Sequence, residues 1–281
     1  MRLLRFSPLV ALAATWLSPQ LARAVETSPV PPAAAAAPAT DSLMFTANGS
    51  TLTGASGGGG GSVGWLHDFS AGVLGLAGEY QTLANAHWEF GSLTGSVSTG
   101  SASAKWTFAA DAHLGSGDIG VYQGLHRFNY DIEGASVAGT FGSKLTLQLD
   151  AQQYDIDTTH GALPKVGLGY LWTPHWQTTA SYSKSVTGNL GTQLETLRID
   201  HYGRAVNWLV GGAAGRVAPA VVNLYTGVNI AAPQLREGYL GLSKSFAGSS
   251  WSILGDYMKV AGEKRITLTV VCTLPVGRPA T

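Results

Sequence analysis

Residues 264–274, KRITLTVVCTL, alternate with hardly a break between two kinds of side chain. Ile266, Leu268, Val270, Cys272 and Leu274 fall on one side. Arg265, Thr267, Thr269, Val271 and Thr273 fall on the other. A period of two belongs to a strand, whereas a helix repeats its faces every 3.6 residues. The pattern recurs in AKWTFAADAHL (104–114), SKLTLQLDAQQYD (143–155), KVGLGYLW (165–172) and HWQTTASYSKS (175–185). No helix-sized window from Asp41 onward carries a helical stripe, so the chain is expected to be all-β.

Turn signals divide this pattern. Short connections fall at FSAG (69–72), STGSAS (98–103), FGSK (141–144), TPHW (173–176), YGRA (202–205) and FAGSS (246–250). Between them lie longer or more variable loops: GASGGGGG (54–61), residues near 83–87, 115–118, 158–163 with HGALP (160–164), 187–192, a long one near 217–234, and 261–264. Alternating short and variable connections predict about fourteen antiparallel strands, within a range of twelve to sixteen set by whether 121–141 is one strand or two. Residues 41–276 then give roughly 17 residues per strand and loop, room for membrane-crossing strands of about 9–11 residues with extensions.

Alternation also occurs in soluble sandwiches, where the apolar face points into a shared core. Three features select a barrel with its apolar face in lipid. The polar faces are rich in Gly, Ser, Thr and Ala, and only 12% of the chain is charged, against about 25% in soluble domains. Aromatics gather at strand ends, as in WTPHW (172–176) and at Trp251, where an interface suits an apolar body with a polar tip. So many strands of one pattern are most simply relieved of unpaired edges by closure. The fold class expected is a transmembrane antiparallel up-and-down β-barrel over residues 41–281.

The N-terminus agrees with export. Arg2 and Arg5, the apolar run LVALAATWL (9–17) and ARA (22–24) form the three parts of a signal peptide over residues 1–24. Residues 25–40, VETSPVPPAAAAAPAT, read as a Pro/Ala-rich flexible leader. A single cysteine, Cys272, excludes an internal disulfide and shares parity with the outer face. Net charge is zero, so no global field favours nucleic acid.

Charged residues on the expected lumen faces include Glu79, Glu89, Lys105, Asp111, Arg127, Lys144, Asp150, Lys165, Arg198, Asp200, Glu237 and Arg265. Isolated charges in a narrow lumen are costly, so these should pair. Two roles stay open: a salt-bridge network that fills the barrel, or a polar track that holds a hydrophilic solute. Tyr154, Tyr202 and Tyr239 could stack on sugar rings or serve as fillers. No G-x-S-x-G, no H-x-x-x-H and no C-x-x-C occurs, and His67 and His201 have outer-face parity, so neither an enzyme, a metal nor a cofactor is expected. GGGGG (57–61) reads as a flexible loop, since no helix with a lysine follows it to cradle phosphate.

Three stretches carry a resemblance: GYLWTPHWQTTASYSKSVTGNLGTQLETLRIDHYG (169–203), REGYLGLSKSF (236–246) and GDYMKVAGEKRITLTV (255–270). Their strand-and-turn texture resembles standalone outer-membrane barrels of the YaiO type and the barrel ends of bacterial exopolysaccharide exporters. The resemblance implies an outer-membrane barrel that forms or supports a polar passage. It implies as partners the outer-membrane lipid, the barrel assembly machinery, and a polysaccharide or periplasmic export proteins. Two other functions remain: a non-conducting structural or adhesive barrel acting through loop 217–234, and a lipid-modifying barrel enzyme.

Overall fold

In the computed structural model the backbone is described from Thr40 to Val276, except at residues 54, 84–85, 102–103, 122–123, 143, 157–158, 189–190, 218–233, 247–248 and 261–262. The signal and leader segments expected over 1–39, and most of the loop near 217–234, lie outside the described residues. Fourteen strands account for nearly all the rest. They are β1 (Thr40–Leu52), β2 (Ala55–Phe69), β3 (Gly72–Leu83), β4 (Ala86–Gly100), β5 (Ala104–Val121), β6 (Gly124–Phe141) and β7 (Leu145–Ile156). There follow β8 (Thr159–Thr173), β9 (Trp176–Lys184), β10 (Gln193–His201), β11 (Asn207–Arg216), β12 (Gln234–Phe246), β13 (Ser249–Val260) and β14 (Glu263–Val276). Each strand pairs antiparallel with its neighbours in sequence, and β1 pairs with β14 from Asp41↔Val276 to Leu52↔Arg265, closing the ring. The described residues contain no helix.

Register fixes the shape. Following cross-strand partners once around the ring returns to β1 displaced by about fourteen residues, or one per strand. That ratio of stagger to strand number tilts strands by roughly 36° in closed barrels. With strands about 4.8 Å apart, the backbone cylinder is then roughly 26 Å across.

The outer wall explains the alternation. Leu76, Leu93, Phe108, Leu149, Leu168, Leu197, Leu240, Ile253 and Leu268 all point outward, and Leu240 is 55% exposed. Aromatics border this belt at the end where the tight turns lie. His67 stacks between Trp65 and Phe69, Trp106 meets Phe141 edge-on, and Trp176, His201 and Trp208 form one cluster. No aqueous partner suits such a girdled apolar band, and hydrocarbon does. Cys272 lies on this face opposite Phe45 and Trp251, and is buried.

Three expected loops are strand instead. Gly57–Gly61 belongs to β2, paired with β1 through Asn48↔Gly60 and with β3 through Gly61↔Tyr80. A glycine run carries no side-chain pattern, but it lets neighbours approach: a Cβ on Gly60 would collide with the Tyr80 carbonyl and the Gln81 side chain. Residues 115–118 continue β5, and 159–164, with the whole of HGALP, open β8. These extensions carry the wall past the outer edge of the apolar belt, where a lipid-facing pattern has no reason to continue.

Candidate functional site

The inward faces line a lumen that differs along its length. From the tight-turn end to beyond mid-height hydroxyls line much of the wall: Thr46, Ser62, Ser92, Thr146, Thr179, Ser181, Thr196 and Thr267 point in and are only half-buried, with Met44, Leu66, Leu209, Leu254 and Val271 pointing in on β1, β2, β11, β13 and β14. Neighbouring hydroxyls bond across strands, as between Ser181 and Thr196 at 2.6 Å and between Ser98 and Thr107 at 2.9 Å. Each hydroxyl both donates and accepts, so paired ones can still exchange bonds with a solute, while the buried Thr267 Oγ1 has no partner among the described residues.

Most charges in this lumen come in local pairs, though among the described residues Glu79 bonds only the Gln81 amide and Glu237 makes no ion pair. Lys165 Nζ on β8 lies 2.8 Å from Asp150 on β7, and the Gln148 amide donates to both carboxylate oxygens. On β10, Arg198 grips Asp200 two residues away, with nitrogen to oxygen at 2.6 Å. Tyr202 donates to the Gln177 side chain nearby at 2.9 Å. Tyr239 packs against the bare backbone of Gly211, where an added Cβ would stand 2.5 Å from the ring. Towards the other end, Arg265 on β14 faces Asp256 on β13 at 3.4 Å, with Glu237 of β12 beside them. On β5 the Asp111 carboxylate meets His113 Nε2 at 3.0 Å. Ser92 is the cross-strand partner of His113, but among the described residues it forms no hydrogen bond with that imidazole, so no activated nucleophile results.

The structure thus brings Asp111, Asp150, Lys165, Arg198, Asp200, Glu237, Arg265 and Glu79 to the inner wall. Lys105 has inward parity and stands exposed at the rim, at the start of β5. Three expected lumen residues are elsewhere. Glu89 shares the outer face of β4 with Leu93 and Val97 and is exposed. Arg127 lies on the outer side of the β6 extension, where its side chain is 79% exposed and bonds Asp118 in a row with His87. Lys144 sits in the turn before β7. Glu89 and Arg127 lie at or beyond the edge of the apolar belt, where the outer face turns polar while the inner face carries Trp88 and Phe128, so polarity stops reporting direction.

Sequence reasoning missed a band of inward apolar side chains. Near the end opposite the tight turns, Leu52, Trp88, Phe128, Tyr154, Ile156, Leu235 and Met258 all point inward from six strands spread around the ring. All seven are buried, Leu235 to 1% and Met258 to 0% exposure. Once the strand tilt is allowed for, they stand within a few residues of one height. They form a mainly apolar collar, which Gln81 opposite Trp88, Glu237 opposite Met258 and Arg265 opposite both Leu52 and Met258 join at the same level. The signal in the sequence was parity, since Trp88 falls in step with inward Ser92 and Thr94.

Among the described residues no group of three or more His, Cys, Asp or Glu is placed to hold a metal ion. No protein-family model and no curated protein sequence matches the chain. Solved structures do share its architecture. The Pseudomonas putida toluene transporter TodX aligns with a TM-score of 0.53 at 9% identity, over 85% of this chain and 90% of the other. A TodX deltaS2S3 mutant, described as a monoaromatic hydrocarbon channel, gives 0.54 at 8% identity, over 85% and 90%. The monoaromatic hydrocarbon channel CymD gives 0.54 at 8% identity, over 86% and 90%. At such identities the likeness establishes the fold: a closed fourteen-strand transmembrane barrel.

Proposed function

We propose that the protein is an outer-membrane passage for hydrophilic solutes, closed at its extracellular end by the apolar collar. The orientation follows from the barrel's own asymmetry, with tight turns on the periplasmic side and longer connections outside. The observation that carries the reading is the change of lining with height. A wet hydroxylic lumen with locally neutralised charges suits an uncharged polar solute, and a ring of buried apolar side chains resists water and ions until it opens.

A saccharide is the solute class that fits best. Its hydroxyls can replace the Ser–Thr bonds one for one, and Tyr202 and Tyr239 stand beside the Arg198–Asp200 pair to meet its apolar faces. An exopolysaccharide strand is the extended form of such a solute, and the YaiO-like texture of 169–203, 236–246 and 255–270 supports that choice. In proteoliposomes, Trp88→Ala/Phe128→Ala protein should admit sugars at rates that fall with sugar size, and wild type should admit them more slowly. Liposomes impermeable with both proteins would defeat the reading.

A second reading is favoured by the collar itself. Trp88, Phe128 and Tyr154 offer an aromatic site to a small apolar solute, the class that appears in the descriptions of TodX and CymD. Toluene would then quench tryptophan emission in wild type and spare it in Trp88→Ala. Quenching equal in both proteins would count against it.

A further inference from the structure

We propose that the outer wall at β12–β14 binds the phosphorylated headgroup of an outer-leaflet glycolipid, with its acyl chains running down the belt below. Arg236, Lys259 and Lys264 all point outward and are exposed. They are direct cross-strand partners in one unbroken row, Arg236↔Lys259 and Lys259↔Lys264. Like charges placed opposite each other destabilise a sheet. Among the described residues nothing relieves these three. The residue opposite Arg236 on β11 is Ala214, and among the described residues none of the three forms an ion pair. A row of this kind calls for an anion from outside.

Height and shape indicate which anion. Directly beneath the row, Tyr257, Ile266, Leu268, Leu240 and Ile253 form the apolar belt, and all five are strongly exposed. The cations therefore stand where hydrocarbon gives way to headgroups, and their long stems let them reach upward. Allowing for the strand tilt, Arg216 on β11 and Lys184 on β9 reach nearly the same height on the same side. The opposite side at that height carries Glu89, Asp131 and Asp155. One flank of the rim is mainly basic, with Glu195 of β10 set lower between Lys184 and Arg216, and the other mainly acidic with Arg127 above it, so the attraction is local. The row spans two strand spacings, about 10 Å. A headgroup with two phosphates held apart by sugars can engage both ends of it, and a zwitterionic single-phosphate headgroup cannot.

The test is native mass spectrometry of the detergent-solubilised barrel titrated with bisphosphorylated lipid A, phosphatidylethanolamine or inorganic pyrophosphate. Wild type should prefer lipid A over phosphatidylethanolamine by about tenfold or more. That preference should vanish in Arg236→Gln/Lys259→Gln/Lys264→Gln and persist in Glu89→Gln/Asp131→Asn/Asp155→Asn. The glutamine variant should melt no lower than wild type in lipid-free detergent, because repulsion has been removed. Independently of any variant, lipid A should raise the wild-type melting temperature and phosphatidylethanolamine should not. Equal binding by wild type and the glutamine variant, pyrophosphate binding as tight as lipid A, or equal melting shifts with both lipids would each overturn the proposal.

Discussion

Replacing Arg265 with methionine should destabilise the barrel by about 3–5 kcal/mol, the cost of leaving buried acidic groups without their counter-charge. Arg265 is buried in the lumen wall 3.4 Å from Asp256, and its charge also acts on Glu237 one strand further. A methionine fills the same space and offers no charge. Denaturant titration of the barrel refolded in lipid vesicles reads the loss. Adding Asp256→Asn and Glu237→Gln to the methionine variant should restore much of it, since neutral amides no longer need the cation. A methionine variant as stable as wild type would show that the trio is not the electrostatic unit described.

On the outer wall, Leu240→Arg should cost about 2–4 kcal/mol in a bilayer and far less in a short-chain detergent micelle. Leu240 stands near the middle of the apolar belt, flanked by Val210 and Gly255 on the adjacent strands, so an arginine there has no nearby headgroup to reach. The contrast between bilayer and micelle separates a hydrocarbon-facing site from a protein-packed one. Equal cost in both would place Leu240 inside a protein interface.

Much of this architecture could be read from side-chain period alone. The lipid-facing positions are chemically uniform, so Leu145, Leu147 and Leu149 announce a strand and a face together. The fourteen strands were countable because short connections carry Gly, Pro and Ser. Gly57–Gly61 was misread because glycine contributes backbone to the ladder and nothing to the pattern. Above the belt, β5 and β6 project where no hydrocarbon enforces alternation, and there Arg127 could not be assigned a direction. Pairings such as Asp150 with Lys165 depend on register across a turn, which the fourteen intervening residues do not disclose. The collar was hidden for a related reason: Trp88, Phe128 and Met258, like Leu209 and Leu254 lower in the barrel, are apolar residues that point inward, against the alternation of the lipid-facing belt.

Planar-bilayer recording tests the central claim most directly. If an apolar collar closes a polar lumen, wild-type protein should conduct only in rare, brief openings, and Trp88→Ala/Phe128→Ala should hold a steady current several-fold larger on time average. A barrel that is equally silent with the collar intact and with it cut away would contradict the claim.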